Sequence, residues 1–207
     1  MKNGFLGISL CIVSFFVSFQ AAAMPALSIS GGIEGSNPSG TFVYGWEFDV
    51  FEDTTVDALG FFDFGSDGLV ERHEVGVWNA EGSLLTSVTI PAGMAAELID
   101  GFRYMDIADV LLSAAGGYVI AATNLQVDRM ILRADSISTI SSIGWIESRF
   151  QNTGGPLALP NNSIGEQSYF GPNFLTNRVG TVSVPAPLML MGFGLAAVGM
   201  FRRTPRL

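Results

Sequence analysis

The sequence predicts an all-β chain: a single antiparallel β-sandwich, jelly-roll-like, flanked by an N-terminal signal helix and a C-terminal transmembrane helix. Three observations carry this. Thr41 to Val50 alternates, with Phe42, Tyr44, Trp46, Phe48 and Val50 on one side and Thr41, Gly45, Glu47 and Asp49 on the other. A period of two marks a half-buried strand. Further short β-rich runs follow, each closed by turn-forming residues. Both ends of the chain, in contrast, are apolar runs, Phe5 to Phe19 and Leu188 to Phe201.

After Thr41 to Val50, strands are expected at Val56 to Phe64, Glu74 to Trp78, Leu84 to Ile90, Phe102 to Ile107, Tyr118 to Thr123 and Arg129 to Arg133. The punctuation is Ser66-Asp67-Gly68, Asn79-Ala80-Glu81-Gly82, Pro91-Ala92-Gly93 and Gly116-Gly117, where glycine and small polar residues favour turns. Runs so spaced, with loops so short, fit antiparallel sheets rather than βαβ units. Ile107 to Ala115 reads as a short helical turn. Ser141 to Phe150 and Gln167 to Leu175 read as closing strands, with a surface loop between them through Asn152-Thr153-Gly154-Gly155-Pro156 and Pro160-Asn161-Asn162. No period of 20 to 50 residues suggests a repeat array.

The expected organisation is a signal peptide over residues 1–23, a flexible entry segment over 24–40, the sandwich domain over 41–183 and a tail over 184–207. At the start, Lys2 supplies a positive charge, Phe5 to Phe19 an apolar run, and Ala21 and Ala23 a small-residue cleavage site. That order describes a secretory signal and implies passage through the Sec translocon. At the end, Val184-Pro185-Ala186-Pro187 precedes a transmembrane helix over 188–201 and the basic residues Arg202, Arg203 and Arg206. Pro187 suits the first turn of a helix, and Gly192, Gly194 and Gly199 give it a small-residue surface for docking in a membrane. As a helix the run rises only about 21 Å, so it spans with local thinning of the bilayer. The arginines stay cytoplasmic by the positive-inside rule, which leaves the domain outside.

A short proline-bearing motif, a membrane segment and a terminal arginine cluster, in that order, resemble the PEP-CTERM sorting signal of bacteria that secrete polysaccharide. Ala186 stands where that family usually has glutamate. The resemblance implies processing of the tail by a membrane-embedded exosortase, a transient stay in the inner membrane, and an exopolysaccharide or biofilm destination. Within the domain, Leu59-Gly60-Phe61-Phe62-Asp63, Asp67-Gly68-Leu69, His73-Glu74-Val75-Gly76-Val77-Trp78 and Asn79-Ala80-Glu81-Gly82-Ser83-Leu84-Leu85 are similar to a pattern of uncharacterised secreted β-sandwich domains carrying this tail. That likeness implies a fold and no catalytic residue.

All 19 acidic residues lie between Met24 and Ser183, against six arginines and no lysine, a formal charge of −13 for that segment. A field of this sign repels phosphate backbones and argues against nucleic-acid binding. The only cysteine, Cys11, lies inside the signal's apolar run. The mature domain therefore has neither disulfide nor thiol nucleophile.

The most polar constellation is Asp63, Asp67, Glu71, His73 and Glu74. Carboxylates in a glycine-containing loop are the hard oxygen ligands that Ca²⁺ takes, six to eight at a time. Asp63, Asp67, Glu71 and Glu74 are thus candidate ligands for a structural Ca²⁺, with a solvated acidic loop as the plain alternative. His73 is the sole histidine, which excludes a multi-histidine zinc site and a Cys/His dyad. Beside Arg72 and Glu74 it reads as a surface group in a salt-bridged turn. No Gly-x-Ser-x-Gly elbow marks a hydrolase. Trp46 and Trp78, inside alternating strands, read as core, and so does Trp145, although it has the better case of the three for partial exposure. The expected function is that of an exported non-enzymatic protein of the cell surface or extracellular matrix. The alternatives are a lectin-like, Ca²⁺-assisted carbohydrate-binding module and a weak secreted hydrolase.

Overall fold

The computed structural model describes residues 24–36, 40–124 and 127–176. The expected signal with Ala21 and Ala23, the motif Val184 to Pro187, the helix over 188–201 and the cluster Arg202, Arg203 and Arg206 lie outside the described residues. Among the described residues no helix is long and apolar enough to cross a membrane.

Strands are the main regular element of the described chain, and its one helical piece is a single 3₁₀ turn. In order the strands are β1 (Met24–Pro25), β2 (Leu27–Ser30), β3 (Ile33–Gly35), β4 (Phe42–Val50), β5 (Thr54–Phe62), β6 (His73–Trp78), β7 (Leu84–Ile90), β8 (Glu97–Ile99), β9 (Phe102–Leu112), β10 (Ala115–Asn124), β11 (Met130–Arg133), β12 (Ser136–Thr139), β13 (Ile143–Asn152), β14 (Asn162–Ile164) and β15 (Pro172–Thr176). A 3₁₀ turn, Phe64–Ser66, follows β5. One sheet has the order β1-β15-β5-β9-β8 and the other β14-β13-β4-β10-β6-β7, with the small ladders β11-β3 and β12-β2 beside them.

A single apolar cluster draws on both sheets. Trp46, Phe48 and Val50 of β4, Val75 and Val77 of β6, and Ile120 of β10 meet Val56, Leu59 and Phe61 of β5 and Phe174 of β15. Each large side chain so buried stabilises the fold by about 1.5–3 kcal/mol. The inward members alternate with outward ones, as pleating requires. Trp46 also donates from Nε1 to the Pro172 carbonyl at 2.9 Å, a bond from one sheet to the other. At Gly45 a Cβ would lie 1.9 Å from the Ile120 carbonyl oxygen, so only glycine lets β4 and β10 approach this closely. The β8–β9 hairpin closes through Asp100 (φ 49°) and Gly101 (φ 79°), the left-handed pair that suits a two-residue turn.

The outer face of each sheet carries a smaller cluster. Val43, Trp78, Val119 and Ala121 lie under Leu157 and Leu159 of the 153–161 loop. Ala58, Phe102, Tyr104 and Leu175 pack with Ile29 of β2. Both Trp46 and Trp78 are buried as expected, in different clusters.

Two expectations are corrected. Ile107 to Ala115 is no helical turn: β9 runs on to Leu112, held by β5 through pairs such as Val56↔Val110 and Thr54↔Leu112. The polar interruptions Asp106 and Asp109 stand on its exposed side. Met24 to Gly35, expected as flexible entry, is paired throughout much of its length: β1 with β15, β2 with β12 and β3 with β11. Its partners lie about a hundred residues or more further along, beyond the reach of local pattern.

Candidate functional site

β6 begins at His73, on the same side of the strand as the core residues Val75 and Val77. His73 is therefore carried inward and is fully buried, 0% exposed. The expectation of a surface histidine in a salt-bridged turn is corrected, because strand parity outweighs the polar neighbours Arg72 and Glu74, which are exposed. The imidazole stacks on Phe61 of the opposite sheet, ring centres 3.6 Å apart and 6° from parallel.

Both ring nitrogens are engaged. Nδ1 lies 2.7 Å from the Thr123 carbonyl oxygen at the end of β10. Because a carbonyl only accepts, Nδ1 must carry the hydrogen. Nε2 faces Asp128 Oδ2 at 3.0 Å. Asp128 sits in the connection from β10 to β11, and its carboxylate accepts the Val70 and Glu71 amides, each at 2.9 Å. Asn124 Nδ2 donates to the Asp128 carbonyl at 3.2 Å. Burial pushes the Asp128 pKa up, but the bonds from His73 and from the Val70 and Glu71 amides outweigh it, and the group is held below its usual value. Glu71 lies at the rim, half-buried. The ligating atoms of Glu71, His73 and Asp128 all lie within 4.8 Å of one another.

Asp63 has a different partner. Its carboxylate accepts Arg103 Nε at 2.7 Å and the Gly68 amide at 3.1 Å. Arg103 also donates from Nη1 to the carbonyls of Ala96 and Met94 and from Nη2 to that of Ser66. The pair is sealed, with side-chain exposures of 7% and 1%. Arginine keeps its charge at any relevant pH, so this is a closed ion pair that ties the 64–68 turn to the segment before β8.

Of the four carboxylates read from sequence as a Ca²⁺ set, no three converge. Asp63 is taken by Arg103, Asp67 is exposed at the end of the 3₁₀ turn, and Glu74 points outward. Among the described residues the one group of three or more histidine, cysteine or acidic side chains close enough to hold an ion is Glu71, His73 and Asp128. Sequence reading missed Asp128, Arg103 and Thr123. Parity was the available signal: His73 shares a side with Val75 and Val77, Asp63 with Leu59 and Phe61, and Arg103 with Met105 and Ile107.

On the other side of β6, an open cleft of about 270 Å³ is lined by Arg72, Glu74, Thr123, Gly155 and Pro156. Trp145 is half-buried and packs on the main core. No family model, no curated protein and no solved structure matches this chain.

Proposed function

We propose that this chain is an exported, non-enzymatic β-sandwich protein, jelly-roll-like, of the cell surface or extracellular matrix. In this reading it crosses by the Sec translocon, pauses in the inner membrane by its PEP-CTERM-like tail, is processed there by an exosortase, and resides among exopolysaccharide. The observation that carries the non-enzymatic part is the burial of His73, the sole histidine, whose ring has no exposed surface and whose two nitrogens face Thr123 and Asp128. A general base must reach its substrate within about 2.6–3.2 Å, and a ring with no exposed surface offers no such approach. The domain also has no cysteine. Two facing sheets that share one core support the sandwich. The burial of Trp46 and Trp78 takes these two rings out of sugar stacking, which needs exposed ones, and so supports a structural role for both.

The test is expression of the full chain in hosts with and without an exosortase. Shortening at the C-terminus and release from the membrane should occur only with the enzyme, and deletion of Val184 to Leu207 should release the domain with its cooperative melt intact. Loss of that melt would place the tail in the core and end the sorting reading. Ester or glycoside turnover abolished by His73→Ala would end the non-enzymatic one.

A further inference from the structure

We infer that Glu71, His73 and Asp128 form a binding site for one divalent metal ion of borderline hardness, zinc foremost. Nδ1 of His73 is committed as a donor to the Thr123 carbonyl. In the neutral ring Nε2 then presents a lone pair, and it faces Asp128 Oδ2 across 3.0 Å. Asp128 is acceptor-only while ionised, and two backbone amides hold it so. Two lone pairs opposed at this distance in a buried place require a positive charge between them, a proton or a metal ion.

Three features favour the metal. First, the ligating atoms of Glu71, His73 and Asp128 converge within 4.8 Å of one another, so three protein ligands rather than two surround one point. Second, the spacing is that of ligands: two atoms each about 2.1 Å from one ion, at angles of about 90–109°, stand about 3.0–3.4 Å apart. Glu71 stands at the rim of the same group, half-buried. Third, a metal-bound histidine characteristically donates its other N–H to a backbone carbonyl or carboxylate, which fixes tautomer and orientation. Thr123 does this from a paired strand, and Phe61 stacked on the ring holds its plane. One imidazole nitrogen with two carboxylates suits Zn²⁺, Co²⁺ or Mn²⁺, and is a poor match to the all-oxygen shell of Ca²⁺. The inference stands apart from the proposed function, since an ion here would stiffen a disulfide-free domain wherever it resides.

The experiment is calorimetric titration of the chelator-treated full chain with Zn²⁺, followed by thermal melts and by Co²⁺ absorption. One equivalent should bind, raise the melting temperature, and give visible Co²⁺ bands with a nitrogen ligand. His73→Gln should abolish all three. Should that buried variant fail to fold, Glu71→Gln decides, because its side chain lies at the rim: affinity should fall at least as far as the roughly 10–100-fold that loss of an outer partner costs. The inference is overturned if no heat and no shift in melting appear while nitrogen NMR shows both ring nitrogens of His73 protonated at neutral pH. It is equally overturned if binding survives Glu71→Gln and vanishes with the exposed pair Asp67→Asn and Glu74→Gln.

Discussion

Asp63 and Asp128 are both buried carboxylates, 2% and 7% exposed, and both accept backbone amides from the stretch between β5 and β6. They differ in the partner each meets. Asp63 meets a guanidinium, which keeps its proton and has enough donors to satisfy three carbonyls besides. Asp128 meets an imidazole that has already given one N–H to Thr123. The first site is complete from the protein's own atoms. The second needs a positive charge between Nε2 and Oδ2, which a proton supplies as a closed ion pair and, in the inference above, a metal ion supplies together with Glu71.

Removing one member of the closed site should have the largest effect. Arg103→Ala strands the Asp63 charge and should cost about 3–5 kcal/mol in urea unfolding, whereas a double replacement of Asp63 and Arg103 by leucine and methionine should recover much of the loss. A double variant as unstable as the single would mean that the pair is more than a self-contained bridge.

The His73–Asp128 site should respond less to mutation and more to dissolved metal. Asp128→Asn should cost about 1–3 kcal/mol and abolish the zinc-dependent rise in melting temperature. Asp63→Asn, although destabilising, should leave that rise intact. If both variants lose it, the two sites are not independent and the comparison fails.

A third buried polar group sharpens the contrast, because it has neither kind of partner. The hydroxyl of Tyr104, 3% exposed, has no hydrogen-bond partner among the described residues. Burial, and then the negative charge of Asp100, pushes its pKa well above the ordinary 10.0. The folded value is the raised one, so this contribution to stability is complete below the unfolded value and is lost as pH climbs past it towards the folded one. Urea melts above pH 10.0 should therefore show a decline that Tyr104→Phe lessens. At neutral pH the same substitution should leave stability unchanged or raise it by about 1 kcal/mol. The smallest effect belongs to Arg149→Ala: Arg149 bonds Glu47 with side chains 23% and 16% exposed, and the loss should stay below about 1 kcal/mol.

Much of the strand pattern was legible because pleating writes itself into the sequence. Leu84 to Ile90 and Phe42 to Val50 alternate or run in β-branched residues, and β7 and β4 occupy those positions. What local pattern could not convey was partnership at a distance. β1 was hidden because its two residues make sense only beside β15. The same holds for the candidate site: Asp63 looked like one of several loop acids until Arg103, 40 residues on, was placed beside it. His73 looked superficial by its charged neighbours, though its parity with Val75 and Val77 already assigned it to the interior. Asp128 carried no local signal, since one aspartate in a short connection resembles any solvated turn.

The adjacency of β1 and β15 has a topological consequence. Met24 stands opposite Thr176 and Pro25 opposite Leu175, so the described stretch from Met24 to Thr176 all but forms a closed ring whose seam lies along one ladder. The seam can be moved. A short glycine-serine bridge from Thr176 to Met24, with a new opening at the exposed Asn79 to Gly82 turn, should yield a circular permutant that keeps every other ladder and melts as one unit.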